Sequence, residues 1–238
     1  MTRPGGDRVQ RFHVLHRILH FTVMIGFIGL GVTGFAMKFG DQWWARAIAW
    51  CLGGGPTLGS WHRFLAVMTY ASVFIHLLWL AYYKLAQKGR LTGPGSVFPR
   101  VKDLADFKNH VKYFFARGPS PRFDRFTYWE KIDYWAVLLG MHTMGVTGLL
   151  LWFPEFFTRW LPGYFINLAL VVHLYEAVIA VALKFVVHIV SAHLRPGIFP
   201  MEKNIFTGFN DLEWVKHEHP GQYEALMAED ETAGEAVS

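Results

Sequence analysis

Histidine pairs separated by about four helical turns occur in two of the four long apolar stretches of this chain. His62 and His76 form the first pair, and His173 and His188, separated by one position more, form the second. At 1.5 Å per residue each pair spans roughly 21–23 Å of helix, and its members point within about 40–60° of the same face. An imidazole inside a bilayer needs a partner and indicates a functional site. Two such layers best fit haem iron held between facing helices, which would carry electrons across a membrane.

Four apolar stretches are long enough to place these histidines inside a membrane. Charged residues make up only 17% of the sequence and hydrophobic residues 53%, whereas a soluble domain has about 25% charged residues. Each stretch has about the 20 residues that a spanning helix needs. We predict an all-α integral membrane protein, a four-helix transmembrane bundle with short amphipathic helices. The predicted spans cover about 18–37, 63–84, 133–153 and 164–192, within one membrane domain of residues 18–192.

The basic residues are concentrated at one end of the predicted spans. Four arginines precede the first span, and the segment 85–131 between the second and third spans is rich in lysine and arginine. By the positive-inside rule, residues 1–17, 85–131 and 193–238 are predicted to be cytoplasmic in a bacterial inner membrane. This topology explains the net charge of +5, so we expect no nucleic-acid binding. The acidic end of the chain is predicted to be disordered.

Smaller features limit the chemistry and complete the topology. The single cysteine, Cys51, excludes a C-x-x-C-H attachment, so we expect any haem to be held non-covalently, as haem b. Residues 43–50 are too short to cross and are predicted to lie at the membrane interface. Residues 101–116 are predicted to form an amphipathic helix, on the inner membrane face or against the end of the bundle. The sequence contains no internal repeat long enough to indicate a repeated fold.

The depth of each histidine predicts which of them can share a haem. His62 lies at the outer end of the second span and His173 in the outer half of the fourth, so they form the predicted outer pair. His188 lies near the inner end of the fourth span. Its partner at that depth could be His20 in the first span or His76 in the second.

Other polar residues in the spans have two explanations each. Lys184, one turn before His188, could pair with a haem propionate or extend to the inner surface. Glu176, three residues after His173, could accept the second N–H of that ring or bond another helix. His142 could be a ligand or simply bond a neighbouring helix. Small residues that could admit either a haem or a packed helix are Gly26, Gly29, Gly31, Gly34, Gly140, Gly145 and Gly148.

These segments resemble the bacterial dihaem cytochrome b subunits that anchor respiratory formate dehydrogenases, nickel–iron hydrogenases and related oxidoreductases. The likeness spans about residues 8–227. It is carried by RILHFTVMIGFIGLGVTGF, GSWHRFLAVM, YWEKIDYWAVLLGMHTMGVTGLLLW, VVHLYEAVIAVALKFVVH and WVKHEHPGQYEAL. The last motif lies outside the spans, so a shared hydrophobic composition cannot produce it.

The resemblance implies two b haems with four axial ligands. The outer haem would be held by His62 and His173, and the inner haem by His20 and His188. It also implies a quinone as substrate beside the inner haem, near the start of the third span. Possible quinone, proton or propionate contacts are Tyr128, Glu130, Asp133 and Lys184.

The chain departs from the family pattern in several places. His76 and His193 are additional to the four ligands, and could replace His20 or hold a third haem; we favour His20. The two fourth-span ligands are separated by one position more than in the family. Glu130 stands where a formate-dehydrogenase type subunit would have an amide, although an ordinary helix N-terminal charge also explains it. YWEKIDYWAV and HLRPGIFPMEKNIFTG look closer to a cytochrome b/b6 domain branch.

These observations predict a membrane-anchoring cytochrome b subunit of a respiratory oxidoreductase. It would transfer electrons between the membrane (mena)quinone pool and a periplasmic partner, which is an iron–sulfur, molybdenum, hydrogenase or multihaem cytochrome c subunit. One alternative is a quinone-independent electron wire to a metal or small-molecule reductase. The other is a non-redox transporter or structural anchor that uses its histidines for proton or metal chemistry.

Overall fold

The computed structural model describes residues 7–194 and 198–235, which are mostly helical. Four helical stretches within these residues, Val14–Lys38, Gly55–Leu85, Tyr128–Trp152 and Tyr164–Leu194, are long and apolar enough to cross a membrane. The prediction of an all-α, four-helix membrane protein is therefore confirmed. In chain order the elements are β1 (Arg8–Gln10), α1 (Val14–Lys38), α2 (Trp43–Cys51), α3 (Gly55–Leu85), α4 (Val101–Phe114), α5 (Tyr128–Trp152), α6 (Pro154–Phe157), α7 (Tyr164–Leu183), two π-helical segments (Lys184–His188 and Val190–Leu194), α8 (Asn204–Thr207), β2 (Phe209–Asp211), α9 (Leu212–Glu218) and α10 (Pro220–Glu235).

The chain divides into two compact units. The bundle unit comprises residues 14–80 and 137–202, and so contains most of the four long helices. The connecting unit comprises residues 1–13, 81–136 and 203–238. The bundle unit carries the histidine pairs, whereas the connecting unit carries the basic segment between the second and third spans.

Glycines let the helices of the bundle unit approach one another. A side chain at Gly26 of α1 would collide with Thr69 of α3, and one at Gly145 of α5 would collide with Tyr70 of α3. A Cβ at Gly29 would lie 2.7 Å from Leu65 of α3. These glycines serve helix packing, as small residues do in membrane proteins.

The connecting unit is tied together by buried charges at the start of α5. Thr127 and Glu130 form a reciprocal capping box: the Thr127 backbone N–H donates to Glu130 Oε2 at 2.7 Å, and the Glu130 N–H donates to Thr127 Oγ1 at 3.3 Å. Arg11, 3% exposed, donates to Glu130 Oε1 at 2.8 Å. Arg11 also donates to the backbone carbonyl of Arg125. Burial and the neighbouring Arg11 charge lower the pKa of the Arg125 guanidinium to about 10. Glu130 thus has a structural role at the start of α5.

Lys131 is expected to contribute strongly to stability, because its charge is buried and has a carboxylate partner. Its side chain is 2% exposed, and its Nζ lies 2.7 Å from Asp103 Oδ1 on α4. Replacing it, Lys131→Met, leaves Asp103 poorly solvated, and we expect a loss of about 3–5 kcal/mol of unfolding free energy. The measurement is chemical unfolding in mild detergent, followed by tryptophan fluorescence.

A matched control is Lys216→Met, since Lys216 pairs with Glu213 at 3.5 Å on the exposed face of α9. An exposed pair contributes about 0–1 kcal/mol. The double variant Lys131→Met/Asp103→Asn should recover part of the loss because no unpaired charge remains. Equal losses for Lys131→Met and Lys216→Met would contradict the assignment.

The motif WVKHEHPGQYEAL joins the C-terminal helices to the segment before α5. His219 is 2% exposed, and its Nδ1 lies 2.6 Å from the Asp124 carbonyl oxygen. The Gly221 N–H donates to the Phe123 carbonyl at 3.0 Å, and a Cβ at Gly221 would lie 3.0 Å from the same oxygen. Helix α10 then extends to Glu235, over much of the acidic stretch for which the composition predicts disorder.

Candidate haem-binding site

The predicted outer pair, His62 on α3 and His173 on α7, is brought together in the bundle unit. The two half-buried rings have centroids 6.4 Å apart and planes inclined by 65°. A metal–imidazole bond is about 2.0 Å long and the ring nitrogen lies about 1.1 Å from the centroid, so two imidazoles on opposite sides of one metal have centroids about 6.3 Å apart. The observed separation fits one iron between the rings.

Distance alone does not define a ligand pair, because ordinary aromatic contacts also span about 4.5–7 Å. The hydrogen bonds of the rings add the decisive information. Thr33 Oγ1 lies 2.8 Å from His62 Nδ1, and Thr147 Oγ1 lies 2.9 Å from His173 Nδ1. Each hydroxyl also donates to the carbonyl four residues earlier in its own helix, Gly29 for Thr33 and Thr143 for Thr147, both at 2.7 Å.

This arrangement favours one position of the proton in each ring. Because the threonine hydroxyl hydrogen is donated to a backbone carbonyl, the hydroxyl oxygen is left to accept the N–H of the imidazole. We therefore assign the proton to Nδ1 in both rings. Both Nε2 lone pairs remain available to a metal, as in other metal-binding histidines whose second nitrogen bonds a neighbour.

Thr33 and Thr147 were not among the predicted site residues. Both stand in the same four-residue sequence, GVTG, at 31–34 in α1 and 145–148 in α5. This repeat was the available signal, but four residues are too short to stand out among apolar helices. The following glycines, Gly34 and Gly148, face the histidine rings: a Cβ there would lie 3.3 Å from His62 Cε1 and 3.4 Å from His173 Cε1.

The predicted inner ligand His188 lies beside His20 in the structure. Their ring centroids are 6.3 Å apart with planes inclined by 36°, again a separation at which both rings could hold one iron. His76, the other candidate partner, instead contacts His16 on α1 at 5.8 Å and stacks on Trp79 at 6.5 Å. His193 lies 6.3 Å from His188, with its plane inclined by 87°.

A π-helical segment accounts for the unusual spacing of the two fourth-span histidines. Helix α7 continues from Lys184 to His188 as a π-helix. Such a segment inserts one extra residue into a helix, and π-helical turns occur often at functional sites. The longer interval between His173 and His188 therefore presents the same face as the shorter family interval does in a regular helix. Lys184 begins this segment, one turn before His188.

Two further polar residues of the spans have structural partners. His142 Nδ1 lies 2.7 Å from the Leu138 carbonyl of its own helix. The carboxylate of Glu176 lies against Gly140 of α5, where a Cβ would be 2.7 Å from Oε1. The second N–H of His173 is accepted by Thr147 and not by Glu176, so that explanation of Glu176 was wrong. The carboxylate contacts another helix, which is the other explanation considered.

The residues considered for quinone contacts are distributed over both units. Tyr128, Glu130 and Asp133 lie in the first two turns of α5 within the connecting unit, and Lys184 belongs to the bundle unit. The Tyr128 hydroxyl lies 3.1 Å from His110 Nδ1. Both oxygens of Glu130 are engaged by Arg11 and Thr127. Their roles toward a quinone or a propionate stay predictions.

Comparison with known proteins agrees with the motifs. The chain is 24% identical to the cytochrome b556(fdo) subunit of formate dehydrogenase from Escherichia coli K12, over 96% of this chain and 98% of that protein. It is 20% identical to the cytochrome b556(Fdn) subunit of the nitrate-inducible enzyme of that organism, over 92% and 91%. The Haemophilus influenzae formate dehydrogenase cytochrome b556 subunit is 24% identical over 91% of this chain and 82% of that protein.

Residues 11–201 match the sequence profile of one family, which confirms the predicted resemblance. The chain belongs to the prokaryotic cytochrome b561 family.

Proposed function

We propose that this cytochrome b is the membrane subunit of a respiratory oxidoreductase and links a periplasmic redox partner to the membrane (mena)quinone pool. Membership of the family implies haem b, which supplies one-electron redox chemistry when bound. The observation that carries the proposal is the pair of histidine contacts at 6.4 and 6.3 Å, each the separation for one iron. Two haems per chain follow, held by His62 with His173 and by His20 with His188.

The two sites lie at different depths of the bundle unit, which suits transfer across a membrane. His173 and His188 lie on one continuous helical element, roughly 20 Å apart along its axis. The chain itself contributes axial ligands, burial and fixed ring orientations, and leaves the redox chemistry to its cofactors. With the topology that the basic residues predict, the His20–His188 site lies toward the cytoplasm and the His62–His173 site toward the periplasm.

A partner subunit is supported by the relatives, which are named as cytochrome b556 subunits of formate dehydrogenases. Because the similarity extends over nearly the whole chain, it supports the role of a cytochrome b subunit here. The candidate partners remain iron–sulfur, molybdenum, hydrogenase and multihaem cytochrome c subunits. Exposed tryptophans on the predicted periplasmic side, Trp43 and Trp50 of α2 and Trp160, suit the membrane interface next to such a partner.

The proposal is tested by adding a menaquinol analogue to the oxidised, detergent-purified protein and following haem reduction in the visible spectrum. We expect reduction that a quinone-site inhibitor blocks, while dithionite still reduces both haems. Reduction by dithionite alone, with direct oxidation by ferric chelates, would favour the quinone-independent wire. A colourless protein would favour the transporter.

The roles of the two carboxylates at the start of α5, Glu130 and Asp133, can be distinguished in the same assay. If Asp133 exchanges protons with the quinone, Asp133→Asn should slow quinol-driven reduction at unchanged haem content. Glu130→Gln preserves the capping box with Thr127 but removes the charge that pairs with Arg11, so we expect it to lower stability and to leave the quinol-driven rate per haem unaltered. A slow Glu130→Gln variant with normal haem content would instead assign the proton to Glu130.

A further inference from the structure

The two GVTG segments, at 31–34 and 145–148, form matching contacts with the two predicted ligands of one haem. We propose that Thr33 and Thr147 are positioning residues that fix the protonation and orientation of His62 and His173, and so tune the haem between them. This inference rests on the proposed ligation of a haem by those two histidines.

The two contacts share the same hydrogen-bond geometry. In each, a threonine bonds the histidine Nδ1, at 2.8 Å for Thr33 and 2.9 Å for Thr147. Each threonine is buried, with 2% and 8% of its surface exposed, so water does not compete for the bond. Each histidine comes from a different helix from its threonine, so the bond also fixes the position of one helix against another.

The hydroxyl in each contact also has a backbone acceptor. When its hydrogen is donated to the carbonyl of Gly29 or Thr143 at 2.7 Å, its oxygen is left to accept the N–H of the imidazole. A tautomer with the proton on Nε2 would require the hydroxyl to give up that carbonyl bond and donate to Nδ1 instead. The threonines therefore favour the form in which both Nε2 atoms can bind iron.

The glycine after each threonine makes room for the ring. Gly34 and Gly148 lie against the Cε1 atoms of His62 and His173, where an added Cβ would already be in close contact with the ring, at 3.3 and 3.4 Å. Threonine and glycine together hold the ring by one nitrogen and one edge. They restrict the orientation of the ring, and with it the angle of 65° between the two imidazole planes.

A hydrogen bond from Nδ1–H makes the imidazole a stronger electron donor to a metal. A stronger donor stabilises ferric over ferrous iron, so loss of the bond should raise the midpoint potential of that haem. Loss of such a bond typically weakens metal binding by about 10- to 100-fold. Both effects should be confined to the haem of His62 and His173, and the second haem in the same molecule serves as an internal reference.

The experiment uses the full chain with Thr33→Val and Thr147→Val, which retain the shape of the side chain but remove the hydroxyl. Potentiometric titration, low-spin ferric EPR and haem transfer to excess apomyoglobin are measured on each variant. We expect one haem to shift to higher potential, change its EPR signal and transfer about 10- to 100-fold faster. Thr33→Ser and Thr147→Ser restore the hydroxyl and should restore wild-type values.

The matched control is Thr22→Val on α1. Thr22 donates to the Ile18 carbonyl four residues earlier, at 3.0 Å, and takes no part in the contacts of Thr33 and Thr147. This variant should leave both potentials unchanged. Unchanged potentials and EPR in the Thr33 and Thr147 variants would overturn the inference, and so would equal disturbance of both haems, which indicates a general packing role. Absence of haem from the wild-type protein would instead contradict the proposed function.

Discussion

Replacing His62 or His173 with leucine is expected to remove one and the same haem, leaving about one haem b per polypeptide in either variant. The ring centroids lie 6.4 Å apart, a separation at which both rings could hold one iron. A haem that loses one of two axial ligands in an apolar site loses most of its attachment. The measurement is the pyridine haemochrome ratio of purified protein, together with a redox titration that identifies the missing component.

The double variant His62→Leu/His173→Leu provides the sharpest check. Because both residues act on one haem, it should retain as much haem as either single variant, which is the non-additivity expected of groups that act as a unit. His142→Leu is the matched control, since His142 bonds the Leu138 carbonyl of its own helix at 2.7 Å, and it should keep two haems. Single variants that each lose a different redox component would contradict this pairing.

Replacing His20 or His188 with leucine is expected to remove the other haem and leave the first. Their centroids are 6.3 Å apart, and the π-helical segment directs His188 into the bundle. His76→Leu separates the two candidates for this site: His76 contacts His16 and Trp79, and its variant should keep two haems per chain. The same haemochrome and titration assays apply.

His193 is a further candidate ligand close to the inner site, so the pairing there needs an additional test. It lies 6.3 Å from His188, but its ring is turned by 87°, so we expect His193→Leu to retain both haems. A wild-type ratio near three, with one haem lost in both His76→Leu and His193→Leu, would establish a third site and refute the two-haem assignment. Loss of the inner haem in His76→Leu but not in His20→Leu would show that His76, and not His20, is the partner of His188.

The sequence alone determined the architecture and the kind of chemistry. A helix that crosses lipid must satisfy its own backbone and present apolar side chains over about 20 residues, so α1, α3, α5 and α7 could be predicted from composition. Histidines at two depths within such stretches are costly without partners, and this cost indicated metal ligands. The motifs of the four spans, with WVKHEHPGQYEAL outside them, carried the family resemblance, and the family match over residues 11–201 confirmed it.

Only the tertiary structure brought particular side chains together. The depth predicted for each histidine allowed either His20 or His76 to be the partner of His188. Depth along a span does not say toward which neighbouring helix a side chain is directed. The structure places His20 against His188, and the π-helical segment from Lys184 accounts for the extra position before His188. It also gave Glu130 a capping role with Thr127 that its charge could not reveal.

The roles of Thr33 and Thr147 show the same division most clearly. In the sequence they are two hydroxyl residues among many in apolar helices, where threonine commonly bonds its own backbone. Their contacts with His62 and His173 join residues 29 and 26 positions apart in the chain. The sequence could determine that four helices with histidines cross a membrane, because hydrophobicity and periodicity are local properties. Which nitrogen faces the iron depends on contacts between helices, and only the packing of the bundle decides them.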